Sequence, residues 1–227
     1  MHSPLILAVD TDDLEVAKKW ISLTSPYIGV FKLGLEFFLK FGISGIMNVK
    51  AETDSKIFLD LKLHDIPNTV GAAAKQVQVI NPEFLTVHAS GGPAMVAAAV
   101  AALPETKITA VTILTSLDKS DLGLIGFVGS AAERAAKLAE LAVSAGAGAI
   151  VSSPQEILKI RSAIGNRALI ITPGVRPKAS ANDDQKRTMD PRSAIEAGAD
   201  YLVIGRPITG SANIADAARS ILEEALN

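Results

Sequence analysis

The stretch AERAAKLAELAVSAGAGAIVSS, residues 132–153, combines the two patterns that decide the fold. In residues 132–146, apolar side chains recur at positions i, i+3, i+4 and i+7, which is the spacing of one helical face. Residues 147–153 form a nearly continuous apolar run, as expected for a strand of a parallel sheet that helices cover. The stretch therefore predicts a helix followed by a buried parallel strand.

The same alternation extends over the whole chain. Eight short apolar runs, separated by segments such as 14–23 and 214–226 with helical spacing, cover residues 5–10, 28–34, 56–63, 84–89, 107–114, 147–153, 168–174 and 201–206. Eight strand–helix repeats fit a closed (β/α)₈ barrel, the TIM-barrel fold, with residues 1–227 as a single α/β domain. An open doubly wound sheet is the alternative, but no GxGxxG motif follows the first run, so the barrel is favoured.

Composition limits the possible classes of function. Of the 227 residues, 48% are apolar and 20% are charged, so the chain can bury a large core. The formal net charge of −2 argues against a nucleic-acid-binding surface. The absence of cysteine excludes thiolate catalysis, disulfides and Cys-ligated zinc, and suits a reducing compartment. No secretory signal or membrane-spanning run is recognisable, so we expect a cytoplasmic protein without membrane contacts.

One segment, GVRPKASANDDQKRTMDP at 174–191, departs from the alternation. It has almost no apolar residue and is unusually long for a connection inside a compact domain. Because it follows the seventh predicted strand, it should lie on the barrel face where active sites of this fold form. We expect a mobile lid that closes over a ligand and excludes water, with a merely solvated loop as the alternative.

Charged residues collect towards the ends of the predicted strands. In DLKLHDIPNT, residues 60–69, Asp60 and Lys62 are two apart, so a regular strand would project both to the same side. Lys32 on the second strand can reach the same place, and Asp65 supplies a fourth charge. Such an alternating array keeps lysines protonated and carboxylates ionised, as a reaction with a developing carbanion requires. For each residue alone, a structural ion pair is the alternative.

A phosphate site is predicted in VIGRPITGS, residues 203–211. Gly205 lets backbone amides approach an anion, Arg206 can bind it through two hydrogen bonds, and the start of the adjoining helix adds a favourable dipole. Barrels of this type often bind phosphate after strands seven and eight. Arg176 and Gln185 of the lid can close on the same group, which favours this interpretation over a glycine turn followed by a surface arginine.

The histidines do not indicate a metal site. His88 lacks acidic neighbours along the chain, and His64 should point away from Asp60 and Lys62 on a regular strand. We interpret both as hydrogen-bonded structural residues.

Taken together, these motifs resemble the orotidine 5′-phosphate decarboxylase family, which converts orotidine 5′-phosphate (OMP) to UMP in pyrimidine synthesis. The matching segments are LAVD (7–10), FKLG (31–34), FLDLKLHDIPNT (58–69), TVHASGG (86–92), VTILTS (111–116), TPGVRP (172–177), Gln185 and IGRPIT (204–209). They cover nearly the whole chain in order. The resemblance implies a carboxy-lyase that needs neither a metal nor an organic cofactor.

The resemblance also implies roles for individual residues. Lys62 would donate a proton to C6 of the pyrimidine, and Asp60 would lie beside the substrate carboxylate. Lys32 and Asp65 would complete the network, with Asp65 and Thr69 reaching the neighbouring subunit's site in a homodimer. The implied substrate-binding residues also include Asp10 for the ribose hydroxyls, Thr115 and Ser116 for the pyrimidine, Pro173 beside the lid, and Arg176, Gln185, Gly205 and Arg206 for the phosphate.

Two alternatives remain open at this point. The related 3-keto-gulonate 6-phosphate decarboxylase shares the DxKxxD motif but uses Mg²⁺ and has an acid in place of Lys32. A non-catalytic barrel that binds phosphonucleosides should lack part of the lysine–aspartate array. All four members of the array are present in this sequence.

Overall fold

A closed barrel of parallel strands forms the centre of the molecule. The computed structural model describes residues 3–177 and 189–227. The strands are β1 (Leu5–Ala8), β2 (Val30–Gly34), β3 (Lys56–Leu63), β4 (Phe84–His88), β5 (Lys107–Val111), β6 (Ala149–Val151), β7 (Leu169–Pro173) and β8 (Tyr201–Ile204). Each pairs with the next along the chain, and β8 pairs with β1 to close the barrel. The prediction of a TIM barrel is confirmed.

Helices follow the strands along the chain. They are α1 (Leu14–Thr24), α2 (Leu35–Lys50), α3 (Pro67–Gln76), α4 (Pro93–Ala102), α5 (Lys119–Leu124), α6 (Ala131–Ser144), α7 (Ile157–Ile164), α8 (Pro191–Glu196), α9 (Arg206–Thr209) and α10 (Ile214–Leu226). The helix predicted at 132–146 is α6, which begins at a capping box formed by Ser130 and Glu133. It ends just before Gly146, whose φ of +98° suits glycine. Among the described residues, no helix has the length and apolar character needed to span a membrane.

Two apolar layers explain why the strands are apolar on both faces. Successive residues of β1 alternate between them: Leu5 and Leu7 belong to a large cluster with the helices, whereas Ile6 belongs to a small cluster inside the barrel. The inner cluster consists of Ile6, Val30, Phe58, Phe84, Ala149 and Ile171. Phe58 and Phe84 pack edge to face, with ring centroids 5.5 Å apart. This packing fills the lower barrel and leaves polar side chains to the opposite end.

Several strands end earlier than the apolar runs predicted. β1 ends at Ala8, β5 at Val111 and β8 at Ile204. Apolar residues continue beyond the last paired residue at Val9 after β1 and at Ile113 and Leu114 after β5, and hydrophobicity alone does not show where strand pairing stops. Asp10 and Arg206, which the predicted runs included, therefore lie after their strands, and Thr115 and Ser116 lie further beyond the end of β5 than the run indicated.

The predicted lid, residues 174–191, is described at its two ends. Gly174, directly after β7, has a φ of +81°, a conformation that glycine adopts without strain. Val175 forms an isolated parallel bridge with Met189, and the Arg176 amide donates to the Met189 carbonyl over 3.0 Å. The two ends of the segment therefore lie side by side. Residues 178–188, and with them Gln185, are outside the described residues.

Candidate active site

A cavity of about 310 Å³ lies at the end of the barrel where the strands terminate. Its volume is in the range of small-molecule sites. Apolar side chains from several strands, including Phe58, Val151 and Val203, form part of its wall. The predicted site residues that line it are Asp10, Lys32, Asp60, Lys62, Thr115, Pro173, Arg176, Gly205 and Arg206. Six different strands and the segments after them thus bring these residues together.

The Asp60 carboxylate lies between two lysines. Lys62 Nζ is 2.8 Å from Asp60 Oδ1, and Lys32 Nζ is 3.4 Å from Asp60 Oδ2. Lys32 Nζ also lies 3.2 Å from Asp10 Oδ1. The side chains of Asp60 and Lys32 are only 13% and 12% exposed, so these charges interact with little screening by water. Within one chain, the alternating array is therefore Asp10–Lys32–Asp60–Lys62.

A bulge in β3 creates this geometry. Leu59 pairs with Leu85 of β4, but the next paired residue of β3 is Leu63, opposite Val87. Lys62 has a backbone φ of +48°, in the left-handed region that residues other than glycine rarely adopt. Asp60 and Lys62 do project into the same cavity, as predicted, but the regular alternation on which the prediction rested does not hold through the bulge.

Thr86 is a further residue of the site that the sequence analysis did not single out. It is fully buried on β4, and its hydroxyl donates to Asp60 Oδ1 over 3.0 Å while accepting from the Lys62 amide over 2.8 Å. The one sequence feature that could have indicated Thr86 is its hydroxyl within the otherwise apolar run FLTV at 84–87. Its partners could not be identified without the register of the bulge.

The surroundings of Asp60 stabilise its ionised form. Burial alone would raise the pKa of this carboxyl, but the charges of Lys32 and Lys62 oppose it, together with hydrogen bonds from Lys62 and Thr86. The net effect lowers the pKa of Asp60 below its ordinary value. Asp60 is therefore an anion at neutral pH, and two cations are held beside it.

Some predicted residues lie outside the cavity. Asp65, between β3 and α3, and Thr69, in the first turn of α3, are exposed, and neither lines the cavity. Asp65 Oδ1 accepts from the Ile66 amide over 2.6 Å, and it forms no ion pair with Lys62 within the part of the chain that the structure describes. Ser116 is also exposed and lies next to Thr115, which does line the cavity.

His64 and His88 lie close to each other, near the Asp60–Lys62 pair. Their ring centroids are 5.1 Å apart, with His64 exposed and His88 half-buried. Burial lowers the pKa of His88, and the neighbouring His64 and Lys62 lower it further against the opposing charge of Asp60. The predicted hydrogen bonds are not seen for either imidazole in residues 3–177 and 189–227. Over those residues, no group of three or more His, Asp or Glu side chains is placed to hold a metal ion.

Two arginines line the side of the cavity formed by the segments after β7 and β8. Arg206 is the first residue of α9 and is exposed, with Gly205 immediately before it. Arg176 is half-buried, and its backbone is held by Met189. The helix that starts at Arg206 is α9, which is only four residues long. Any helix-dipole contribution to the predicted phosphate site therefore comes from this short helix and not from the last helix, α10.

Known proteins resemble this chain in both sequence and fold. The model of the orotidine 5′-phosphate decarboxylase / HUMPS family matches residues 3–221. Orotidine 5′-phosphate decarboxylase of Thermobifida fusca is 48% identical over 224 residues, which cover 99% of this chain and 96% of that protein. The enzyme of Moorella thermoacetica is 45% identical over 236 residues, covering 99% and 93%. The crystal structure of orotidine 5′-phosphate decarboxylase from Lactobacillus acidophilus superposes with a TM-score of 0.87 at 35% identity, covering 99% of this chain and 100% of that one. The chain therefore belongs to the orotidine 5′-phosphate decarboxylase family.

Proposed function

We propose that this protein decarboxylates OMP to UMP without a metal or an organic cofactor. The observation that carries the proposal is the Asp60 carboxylate held between Lys32 and Lys62 in a small cavity that Arg176 and Arg206 also line. Cations at one side suit a developing carbanion, and arginines at the other suit a phosphate. The names of the T. fusca and M. thermoacetica relatives support the same substrate.

Lys62 is the proposed proton donor. When the bond from C6 to the carboxylate breaks, CO₂ leaves and the electron pair stays on C6, in the plane of the ring and without π-delocalisation. An adjacent ammonium group stabilises that charge and then transfers a proton from Nζ to C6. The Lys62 side chain is 31% exposed, so the resulting amine can regain a proton from solvent.

Asp60 is the proposed neighbour of the substrate carboxylate. An ionised Asp60 repels that carboxylate in the bound substrate, and the repulsion is relieved as CO₂ leaves. The same carboxylate holds Lys62 at 2.8 Å and Lys32 at 3.4 Å, so it also positions the cations.

Binding energy is proposed to come mainly from parts of OMP remote from C6. Arg176, Gly205 and Arg206 would hold the phosphate, with Gln185 of the lid at 174–191 closing over it. The remaining proposed contacts are Asp10 with the ribose, Thr115 and Ser116 with the pyrimidine, and Pro173 at the base of the lid. Phosphate contacts that form only when the lid is closed would stabilise the reactive state and exclude water.

A homodimer of single-domain subunits, residues 1–227, is also part of the proposal. Asp65 and Thr69 are exposed and do not line the cavity of their own chain, which suits residues that complete a partner's site. Ile66, between them, is 66% exposed, so an apolar side chain is also available to a partner at this surface.

The direct test is to follow the loss of OMP absorbance with purified protein, with UMP identified as the product by chromatography. We expect catalytic turnover in buffer that contains no added metal. A protein that leaves OMP intact but decarboxylates 3-keto-gulonate 6-phosphate with Mg²⁺ would refute the proposal in favour of the related enzyme. A protein that binds UMP and turns over neither compound would favour the non-catalytic barrel.

A further inference from the structure

We infer that Thr86 is a positioning residue for the decarboxylation, because its hydroxyl joins the Lys62 backbone to the Asp60 carboxylate. Thr86 does not line the cavity, so it acts through these two residues rather than on the substrate. The inference rests on the proposed function for its kinetic consequences, but its structural basis is the bulge in β3.

The register of β3 and β4 places Thr86 alone opposite the bulge. Regular pairing joins Leu59 to Leu85 and resumes with Leu63 opposite Val87. Three residues of β3, 60–62, therefore face a single residue of β4. A bulge leaves backbone groups without their usual ladder partners. Here the Lys62 N–H donates to the Thr86 hydroxyl, at 2.8 Å, in place of a backbone carbonyl.

The conformation of Lys62 needs such support. A φ of +48° is strained at a residue other than glycine and persists only where surrounding contacts hold it. Thr86 is 0% exposed, so its hydroxyl is a fixed contact from inside the barrel. If the Lys62 backbone relaxed, the Nζ atom at the end of its side chain would move away from the position that the bulge sets.

The second hydrogen bond of Thr86 determines the orientation of Asp60. A hydroxyl has one proton, and Thr86 donates it to Asp60 Oδ1 over 3.0 Å. Lys62 Nζ contacts the same oxygen at 2.8 Å. One buried hydroxyl thus ties the backbone of the proposed proton donor to the carboxylate that its ammonium contacts.

Substitution of Thr86 tests the inference. Thr86→Val keeps the branched shape and removes the hydroxyl. We expect kcat to fall by about ten- to hundredfold, since misplacement of a reacting group by about 1 Å has effects of that size, while the KM for OMP changes by less than about threefold. Thr86→Ser restores the hydroxyl and should return kcat to within about threefold of the wild-type value. Thr86→Ala should show the same loss of kcat as the valine variant, and it serves if that variant folds poorly.

Thr109→Val is the matched control. Thr109 lies directly opposite Thr86 on β5 and is equally buried, but its hydroxyl donates to the Lys107 carbonyl and it does not line the cavity. We expect this variant to keep the wild-type kcat even if its melting temperature falls. Equal losses of kcat in Thr86→Val and Thr109→Val would show that Thr86 has only a structural role, and would overturn the inference.

Two further measurements separate positioning from general stability. The acidic limb of the pH profile of kcat should move to higher pH in Thr86→Val, because Asp60 loses one hydrogen bond while Lys32 of β2, Lys62 of β3 and His88 of β4 still face it. Amide hydrogen exchange at Lys62 should accelerate by at least about tenfold in that variant and stay unchanged in Thr109→Val.

The outcomes distinguish this inference from the proposed function. A wild-type protein that does not turn over OMP refutes the function, and the exchange rate at Lys62 then decides whether Thr86 holds its backbone. An active wild-type protein whose Thr86→Val variant retains kcat within about twofold refutes the inference alone. Failure of Thr86→Ser to recover activity would also refute it, because the hydroxyl would not be the group that matters.

Discussion

Lys62 Nζ lies 2.8 Å from Asp60 Oδ1, although the two residues flank the centre of a bulge in which Lys62 has a left-handed backbone. Residues two apart on a regular strand also project to one face. The bulge lets the two side chains converge on the cavity that nine predicted site residues line.

Replacing Lys62 should remove turnover while leaving nucleotide binding. In Lys62→Ala the transition state loses its nearest cation and its proton donor, so kcat should fall by about 10²- to 10⁴-fold or more. UMP binding, measured by calorimetry, should remain detectable because the arginines are intact. Lys40→Ala is the control, since Lys40 pairs with Asp12 at the surface and does not line the cavity. Near-normal turnover in Lys62→Ala would contradict the assigned role.

Removal of Arg206 should be detected first in binding. Loss of hydrogen bonds to a charged group costs about 1.5–3 kcal/mol, or roughly ten- to hundredfold in kcat/KM. We expect most of the change in KM and a smaller part in kcat. Steady-state kinetics of Arg206→Ala would measure the changes in KM and kcat. Arg219→Ala is the control, because Arg219 lies on the exposed face of α10. Unchanged kcat and KM would place the phosphate elsewhere.

The dimer proposal predicts that two inactive variants complement each other. In a mixed dimer of Lys62→Ala and Asp65→Ala subunits, one site has both residues intact and the other has neither. Random exchange of equal amounts should therefore regenerate about a quarter of the wild-type activity. Each variant alone is the control, and native mass spectrometry verifies the exchange. Complete absence of activity in verified mixed dimers would show that each site is built from one chain.

Asp60 should make the free energy of unfolding depend on pH. Its folded pKa lies below the ordinary value of 3.8, so its ionisation stabilises the fold above that value, and this contribution is lost as the pH falls through the folded pKa. We therefore expect the free energy of unfolding of the wild type to fall relative to that of Asp60→Asn as the pH is lowered from neutral to below 3.8. Urea unfolding of both proteins at each pH measures this difference. A difference that is constant with pH would contradict a shifted pKa.

Metal independence separates the two related decarboxylases. A Mg²⁺ site needs several oxygen ligands, and Lys32, 3.4 Å from Asp60, would repel a dication there. We expect kcat for OMP to survive exhaustive EDTA treatment and not to rise with added Mg²⁺. Activity that disappears in EDTA and returns with Mg²⁺ would favour the sugar-phosphate decarboxylase.

The sequence by itself determined the fold and most of the candidate site. Periodicity identified all eight strands and predicted α10 at residues 214–226 with the bounds that the structure has, because hydrophobic spacing is a local property of the chain. Polar residues near the ends of apolar strands, such as Lys32, Asp60 and Arg206, stand out for the same reason, and the structure brings them to one cavity. The resemblance to the orotidine 5′-phosphate decarboxylase family is confirmed by the match over residues 3–221.

Only the tertiary structure decided how those residues are held. The bulge at residues 60–62 and the two hydrogen bonds of Thr86 depend on the register between β3 and β4, which is set by packing of residues more than 20 positions apart. The same applies to the pairing of Lys32 with both Asp10 and Asp60, and to the separation of Asp65 from the cavity of its own chain. Spacing along one strand assumes regular pairing, and a bulge breaks that assumption at the site where the chemistry is proposed to occur.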